Sequence, residues 1–308
     1  MSDQSVTSSS VYVRPEFENE IGAAGTGEVE RRLSMFERIS NIDPLRKFTI
    51  LIIMVVIWEL YARIGEINEL MFPTFSATGT ALIDALVNAG LLVNVWNSLK
   101  LLLSGYAIGI SIAAVLVILA VGSRIGSDLL TTLTAMLNPL PAIALLPMAM
   151  LWFGLGPGAI IFTLLHSIVW PVALNTHSGF QSVSETLRMV GGNYGLKGLR
   201  YIFKILVPAA FPSILTGLRI GWAYAWRTLI AAELVFGGQV VDTSGQLGAE
   251  GSNSGGLGWI IFESQMENQT PYVFAGLFMV ILVGITVENG FFRNIEEKTV
   301  RKWGMQKA

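Results

Sequence analysis

Charged side chains inside long apolar runs are the residues best placed to do chemistry here, because an ion in hydrocarbon persists only beside a partner or water. The run 212–236, PSILTGLRIGWAYAWRTLIAAELVF, holds Arg219, Arg227 and Glu233. Arg219 lies close enough to one end to reach the interface with its head group. Arg227 is nearer the middle and has no such exit. It needs either an acidic partner on another helix or a wet cavity that an anion can cross. Glu233 follows Arg227 by six residues, roughly 240° around a helix, which makes it a poor partner along the same element. Asn138, Asn175, Thr176 and His177 add polar groups to other apolar runs, and His166 reads as a helix-to-helix hydrogen bond rather than a ligand contact. The candidate path residues are Arg227, Glu233, Asn138, Pro141 and Asn175.

Other chemistries lack their residues. With no cysteine there is no disulfide, thiolate nucleophile or cysteine-bound zinc, and two histidines make no convincing metal site. No G-x-x-x-x-G-K-[ST] phosphate loop occurs, so these residues do not hydrolyse ATP. A membrane enzyme would need paired carboxylates or a histidine motif at the interface, and no such cluster is seen.

A second concentration of charge lies in 184–208, SETLRMVGGNYGLKGLRYIFKILVP, between two apolar runs. Ser182 and Glu185 have capping-box spacing, which predicts a helix starting at Val183. Gly191 and Gly192 are expected to stop it after about two turns. A turn at NYGLKG then leads into a helix around Leu199 to Val207. Arg200 and Lys204 share one face of it, with Ile202, Phe203, Ile205 and Leu206 toward the membrane. Pro208 and Pro212 break the chain and restart it. The result is a projecting pair of short helices, a docking shape; the plainer reading is a loop obeying the bias of basic residues toward the inner side.

The elements behind these residues are membrane helices. The chain has 308 residues, 52% hydrophobic and 14% charged, against about 25% charged in soluble domains. Six stretches are long enough to span, about 47–64, 95–121, 128–152, 158–176, 212–236 and 271–291. Pro139, Pro141 and Pro147 should kink or break the third, and Gly105 and Gly109 permit close packing of the second. Arg and Lys cluster in the first 46 residues, at Arg124, in 184–208 and after residue 292, while the loops 65–94, 154–157 and 237–270 hold none. That asymmetry puts both termini inside. Residues 1–46 read as a polar cytoplasmic tail, helical around Glu28 to Ile39, residues 47–292 as the membrane domain and 293–308 as a cytoplasmic tail. Residues 74–92 read as a short external helix, and the Gly- and Ser-rich 237–258 as a flexible external loop.

Three blocks resemble permease subunits of bacterial ABC importers, in the nitrate, sulfonate, taurine and bicarbonate branch. Glu185, Gly191 and Pro208, with GGNYGLKGLRYIFKILVP, resemble that branch's inner loop, although Thr186 and Leu187 replace two alanines. NPLPAIALLPMAMLWFGLGPGAIIF resembles its proline-rich third helix, with Pro157 and Gly158 where an acid is common. AWRTLIAAELV resembles the end of its fifth helix, with Glu233 matching. The likeness covers roughly 90–295, with a core of about 90–292. It implies an all-α integral membrane protein of the type I importer permease fold, in the bacterial inner membrane. It also implies pairing with a second permease copy, two ATP-binding subunits that carry ATP and Mg, and an external solute-binding protein. No cofactor and no nucleic acid belong to this chain. The loop 182–208 would be the coupling element, with Glu185, Arg188, Gly191, Tyr194, Gly195, Gly198 and Pro208 at the ATPase contact. The cargo would be a small organic or inorganic anion: sulfonate, nitrate, bicarbonate or aromatic acid. The alternative is an ATP-independent secondary transporter or channel, which would lack the projecting pair and often shows inverted repeats.

Overall fold

The computed structural model describes residues 43–236 and 255–302, and every described element is helical. The expectations for the N-terminal tail and for most of the loop 237–258 lie outside the described residues. The chain divides into two compact units, residues 1–54 and 55–308, with the boundary inside the first helix, α1 (Asp43–Ile64).

α2 (Phe75–Val87) is the short helix expected within 74–92, and it starts where Thr74 Oγ1 accepts from the Ala77 N–H at 3.1 Å. Trp58 fixes its approach by donating from Nε1 to the Pro73 carbonyl at 2.9 Å and meeting the rings of Phe75, Phe274 and Phe278 at 5.7 Å. Asp84 accepts from the Tyr272 hydroxyl at 2.6 Å and from Asn88 Nδ2 at 2.7 Å. These donors hold its carboxyl below the usual carboxylate range.

α3 (Leu91–Gly122) begins earlier than the expected 95, because Gly90, at φ 68°, turns the chain directly into it. At 32 residues it exceeds what a bilayer requires. α4 (Arg124–Leu137) is capped by Ser123, whose Oγ accepts from the Gly126 N–H at 3.0 Å. A linker, 138–141, leads through a tight turn (Ala142–Leu145) into α5 (Leu146–Phe153), with an 89° bend between the two arms. The bend falls where Pro139 and Pro141 remove backbone donors and disfavour helical geometry just before them.

α6 (Pro157–Gln181) is the central element. A Cβ on Gly105 would lie 3.1 Å from Leu164, and one on Gly109 2.8 Å from Ile168, so α3 meets α6 backbone to side chain. On the other side α9 (Phe211–Phe236) approaches through Gly217, where a Cβ would lie 2.8 Å from Asn175 Cβ, and Gly221, 3.1 Å from Val172. Without a hydrophobic drive between helices in lipid, such small residues set how closely they pack.

Two short loop helices, α7 (Glu185–Asn193) and α8 (Gly198–Ala209), separate α6 from α9, and α8 meets α9 at an 80° bend. α10 (Leu257–Met266) precedes the last helix, α11, which runs on from Thr270 to Arg301. Residues 293–301, expected as part of a tail, continue this helix, and Val300 is buried. Among the described residues three helices are long and apolar enough to cross a bilayer, or five if each bent pair is one span. α1 has the length, but Arg46, Lys47, Glu59 and Arg63 interrupt its apolar character.

Candidate functional site

The break between α4 and α5 makes room beside α9. A cavity of about 420 Å³ is lined by the linker from Asn138 to Pro141, by His166 and Ser167 of α6, and by Tyr224, Arg227 and Thr228 of α9. Three of the five candidate path residues, Arg227, Asn138 and Pro141, therefore meet at one place. Arg227 is exposed on the isolated chain, lies over the Tyr224 ring at 5.9 Å, and has no acidic partner among the described residues. Tyr224 was not singled out from the sequence, yet it precedes Arg227 by three residues, the spacing that puts two side chains on one helix face.

His166 holds the linker. The Trp170 Nε1–H donates to Nδ1 at 3.1 Å, so the ring proton sits on Nε2, which donates to the Leu140 carbonyl at 3.1 Å. The expected helix-to-helix bond is thus a bond from helix to broken backbone. It supplies a donor to a carbonyl that no helix serves. Ser167 and Thr228 close the cavity floor, their hydroxyls 2.8 Å apart.

Glu233 and Asn175 do not reach this cavity. Glu233 is buried at 2% exposure, accepting from Ser98 Oγ at 2.7 Å and from the Gly258 N–H at 2.8 Å. Ser98 Oγ in turn accepts from the Leu257 N–H at 2.7 Å. A carboxylate at the first turn of α10 meets its orphan N–H groups and the positive end of its dipole. Gly256 and Gly258 leave room for it: a Cβ on Gly258 would lie 2.6 Å from Glu233 Cβ, and one on Gly256 would collide with the carboxylate. Asn175 donates from Nδ2 to the Pro171 carbonyl at 2.8 Å, within its own helix. Arg219, expected near the interface, is engaged by acidic side chains of the last helix. Its Nη2 donates to Glu296 at 2.9 Å and its Nε lies 2.9 Å from Glu288, both on α11, with the Phe292 ring at 5.9 Å.

The 182–208 loop differs from its sequence reading in two places. Ser182 does not open a capping box: its Oγ donates to the Gly179 carbonyl at 2.9 Å, closing α6, and Ser184 occupies the N-cap of α7. The glycine pair does not stop α7. Gly191 is buried where a Cβ would lie 2.8 Å from the Tyr201 ring, so it is the contact between α7 and α8. The stop is made by Tyr194 and Gly195, the latter at φ 67°, with Leu196 N–H donating to the Gly191 carbonyl at 3.0 Å. Ile202 and Leu206 are buried against the protein, whereas Phe203 is 62% exposed.

Arg188 turns back onto α6, donating from Nη2 to Phe180 at 2.6 Å and from Nε to Val183 at 3.1 Å. This cation at a helix C-terminus anchors the loop. Glu185 stands exposed in the first turn of α7. Gly198, at φ 57°, opens α8, and Pro208 lies near its end. What remains outside is apolar and basic: Leu187, Met189, Tyr194, Leu199 and Phe203, with Lys197, Arg200 and Lys204. Exposed apolar side chains rimmed by charge are what a docking face requires.

Residues 105–300 match the family described as binding-protein-dependent transport system inner membrane component. Over 265 residues the chain is 31% identical to a putative ABC transporter permease protein of Methanocaldococcus jannaschii, covering 85% of this chain and 93% of that one. The chain belongs to this family. It is also 27% identical to a putative aliphatic sulfonates transport permease protein of Bacillus subtilis, over 82% of this chain and 84% of the relative. It is 27% identical to a nitrate import permease protein of Synechocystis, over 84% and 90%. The protein is thus an ABC importer permease, a multi-pass component of the inner membrane. The ATPase is a separate component, and a binding protein delivers the solute. Membership of an ABC family displaces the ATP-independent alternative.

Proposed function

We propose that this permease carries a small anion, of sulfonate, nitrate, bicarbonate or aromatic-acid type, through the cavity beside Arg227. Two copies pair, and two ATP-binding subunits holding ATP and Mg dock on the inner loops, with the binding protein outside. Six crossings, α1, α3, α4 with α5, α6, α9 and α11, place both termini and the 182–208 loop in the cytoplasm, with residues 1–46 and 293–308 flanking the membrane domain. Glu185, Tyr194 and the exposed face of α8 meet the ATPase. Gly191, Gly195, Gly198 and Pro208 shape that face, and Arg188 braces it. ATP-driven closure draws the two loops together, and α6 and α9, joined to the loop at either end, carry the motion to the cavity.

The observation that carries the reading is Arg227: mid-span, exposed, and unpaired among the described residues. An arginine facing lipid there would be costly, so it faces water or a partner copy. Uptake by the reconstituted importer tests this. Losing a charge-assisted contact worth about 1.5–3 kcal/mol, Arg227→Ala is expected to lower anion uptake roughly 10- to 100-fold, while Arg227→Lys retains part of it. Equal loss for an uncharged cargo would make Arg227 structural instead.

A further inference from the structure

We infer that the cavity selects an organic monoanion, one carboxylate or sulfonate on a short aliphatic or aryl body, over a bare inorganic oxyanion. This rests on reading the cavity as the path. Most of its polar groups are already engaged: both His166 nitrogens with Leu140 and Trp170, and the hydroxyls of Ser167 and Thr228 with each other. Free of hydrogen bonds and ion pairs among the described residues are the Arg227 guanidinium, the Asn138 amide and the Tyr224 hydroxyl. One fixed cation matches one negative charge, and a second would be left without a counter-charge in the cavity.

The remaining lining is largely apolar, Pro139, Leu140, Pro141, Ala142, Ile143 and Ala231. A four-atom oxyanion fills about 60 Å³, twice the ~30 Å³ share of a water molecule. It would leave most of the 420 Å³ to water against hydrocarbon walls. A hydrocarbon or aryl body fills that space while its head group takes the free donors, the division of labour usual in small-molecule sites. The sulfonate and nitrate relatives are both 27% identical to the chain, so likeness does not choose between these cargoes. The lining does. Arg227 and Asn138 read the head, and Ala142 and Ile143, just past the break, read the body.

Binding to the intact permease–ATPase complex in nanodiscs decides the matter, with hexanesulfonate, benzoate, nitrate and uncharged hexanol as probes and tryptophan emission as the readout. Hexanesulfonate and benzoate are expected to bind at least ~10-fold more tightly than nitrate, and hexanol not to compete. Arg227→Gln should abolish this binding and Arg227→Lys largely keep it. Ala142→Leu and, separately, Ile143→Trp, which fill the apolar end, should weaken hexanesulfonate more than nitrate in complexes that still co-purify with the ATPase. Nitrate binding as tightly as hexanesulfonate, through Arg227, would overturn the inference and leave the anion path standing. No Arg227-dependent binding of any anion would overturn both.

Discussion

Arg227 and Glu233 stand on one helix and meet opposite fates. Arg227 opens into a cavity, whereas Glu233 is sealed beneath Gly256 and Gly258 with its acceptors filled. Glu233→Ala would strand the Gly258 N–H and the Ser98 hydroxyl, and buried donors left unmade cost about 1–3 kcal/mol each. A loss of about 2–4 kcal/mol is expected, read as a lower denaturation midpoint in detergent, with Glu233→Gln in between. Asn94 makes the opposite case: it is wholly buried and neither side-chain atom has a partner among the described residues. Asn94→Leu is therefore expected to hold or raise the same midpoint. The sequence showed both ionisable residues inside apolar runs but could not separate them. Glu233's partner Ser98 is 135 positions away, beyond the reach of any local pattern.

The helices were legible where composition alone decides: apolar run length gave α3, α6, α9 and α11, and paired prolines gave the break at 138–141. What failed was the assignment of particular groups to particular ends. Ser182 sits where it can close one helix or open the next, and the backbone before it, the Gly179 carbonyl, claims its hydroxyl. Gly191 looked like a terminator, but helix geometry tolerates glycine when a neighbour needs the space, and Tyr201 occupies it. Gly191→Asp would drive a carboxylate into that ring and pry α7 from α8. Co-purification of the ATPase with tagged permease is expected to fall at least ~10-fold while membrane insertion is unchanged, since overpacking of this kind costs about 1–3 kcal/mol or more. Gly192→Ala, whose Cβ meets nothing within 4 Å, should retain the ATPase. Equal loss from both variants would place the defect in the loop's outer surface, not in its internal packing.

For the molecule as a whole, the two bent pairs decide how many times the chain crosses. An arm bent by 89° at Asn138–Pro141 can be one broken span, or a hairpin that enters and leaves on the same side. The charge pattern argues for a span, because residues 154–157 carry no Arg or Lys whereas Arg124, before the bend, is basic. The absence of cysteine makes the choice directly measurable, since any introduced thiol is the only one. Ile125, Leu155, Tyr194 and Met71 all expose their side chains, at 83%, 46%, 80% and 78%. With a membrane-impermeant maleimide applied from outside, Met71→Cys and Leu155→Cys are expected to label in intact cells, and Ile125→Cys and Tyr194→Cys only after permeabilisation. Ile125 and Leu155 on the same side would make the bent pair a re-entrant hairpin and remove one crossing. Every later element would then change sides, placing Tyr194 and the basic face of α8 outside, where no ATPase could reach them.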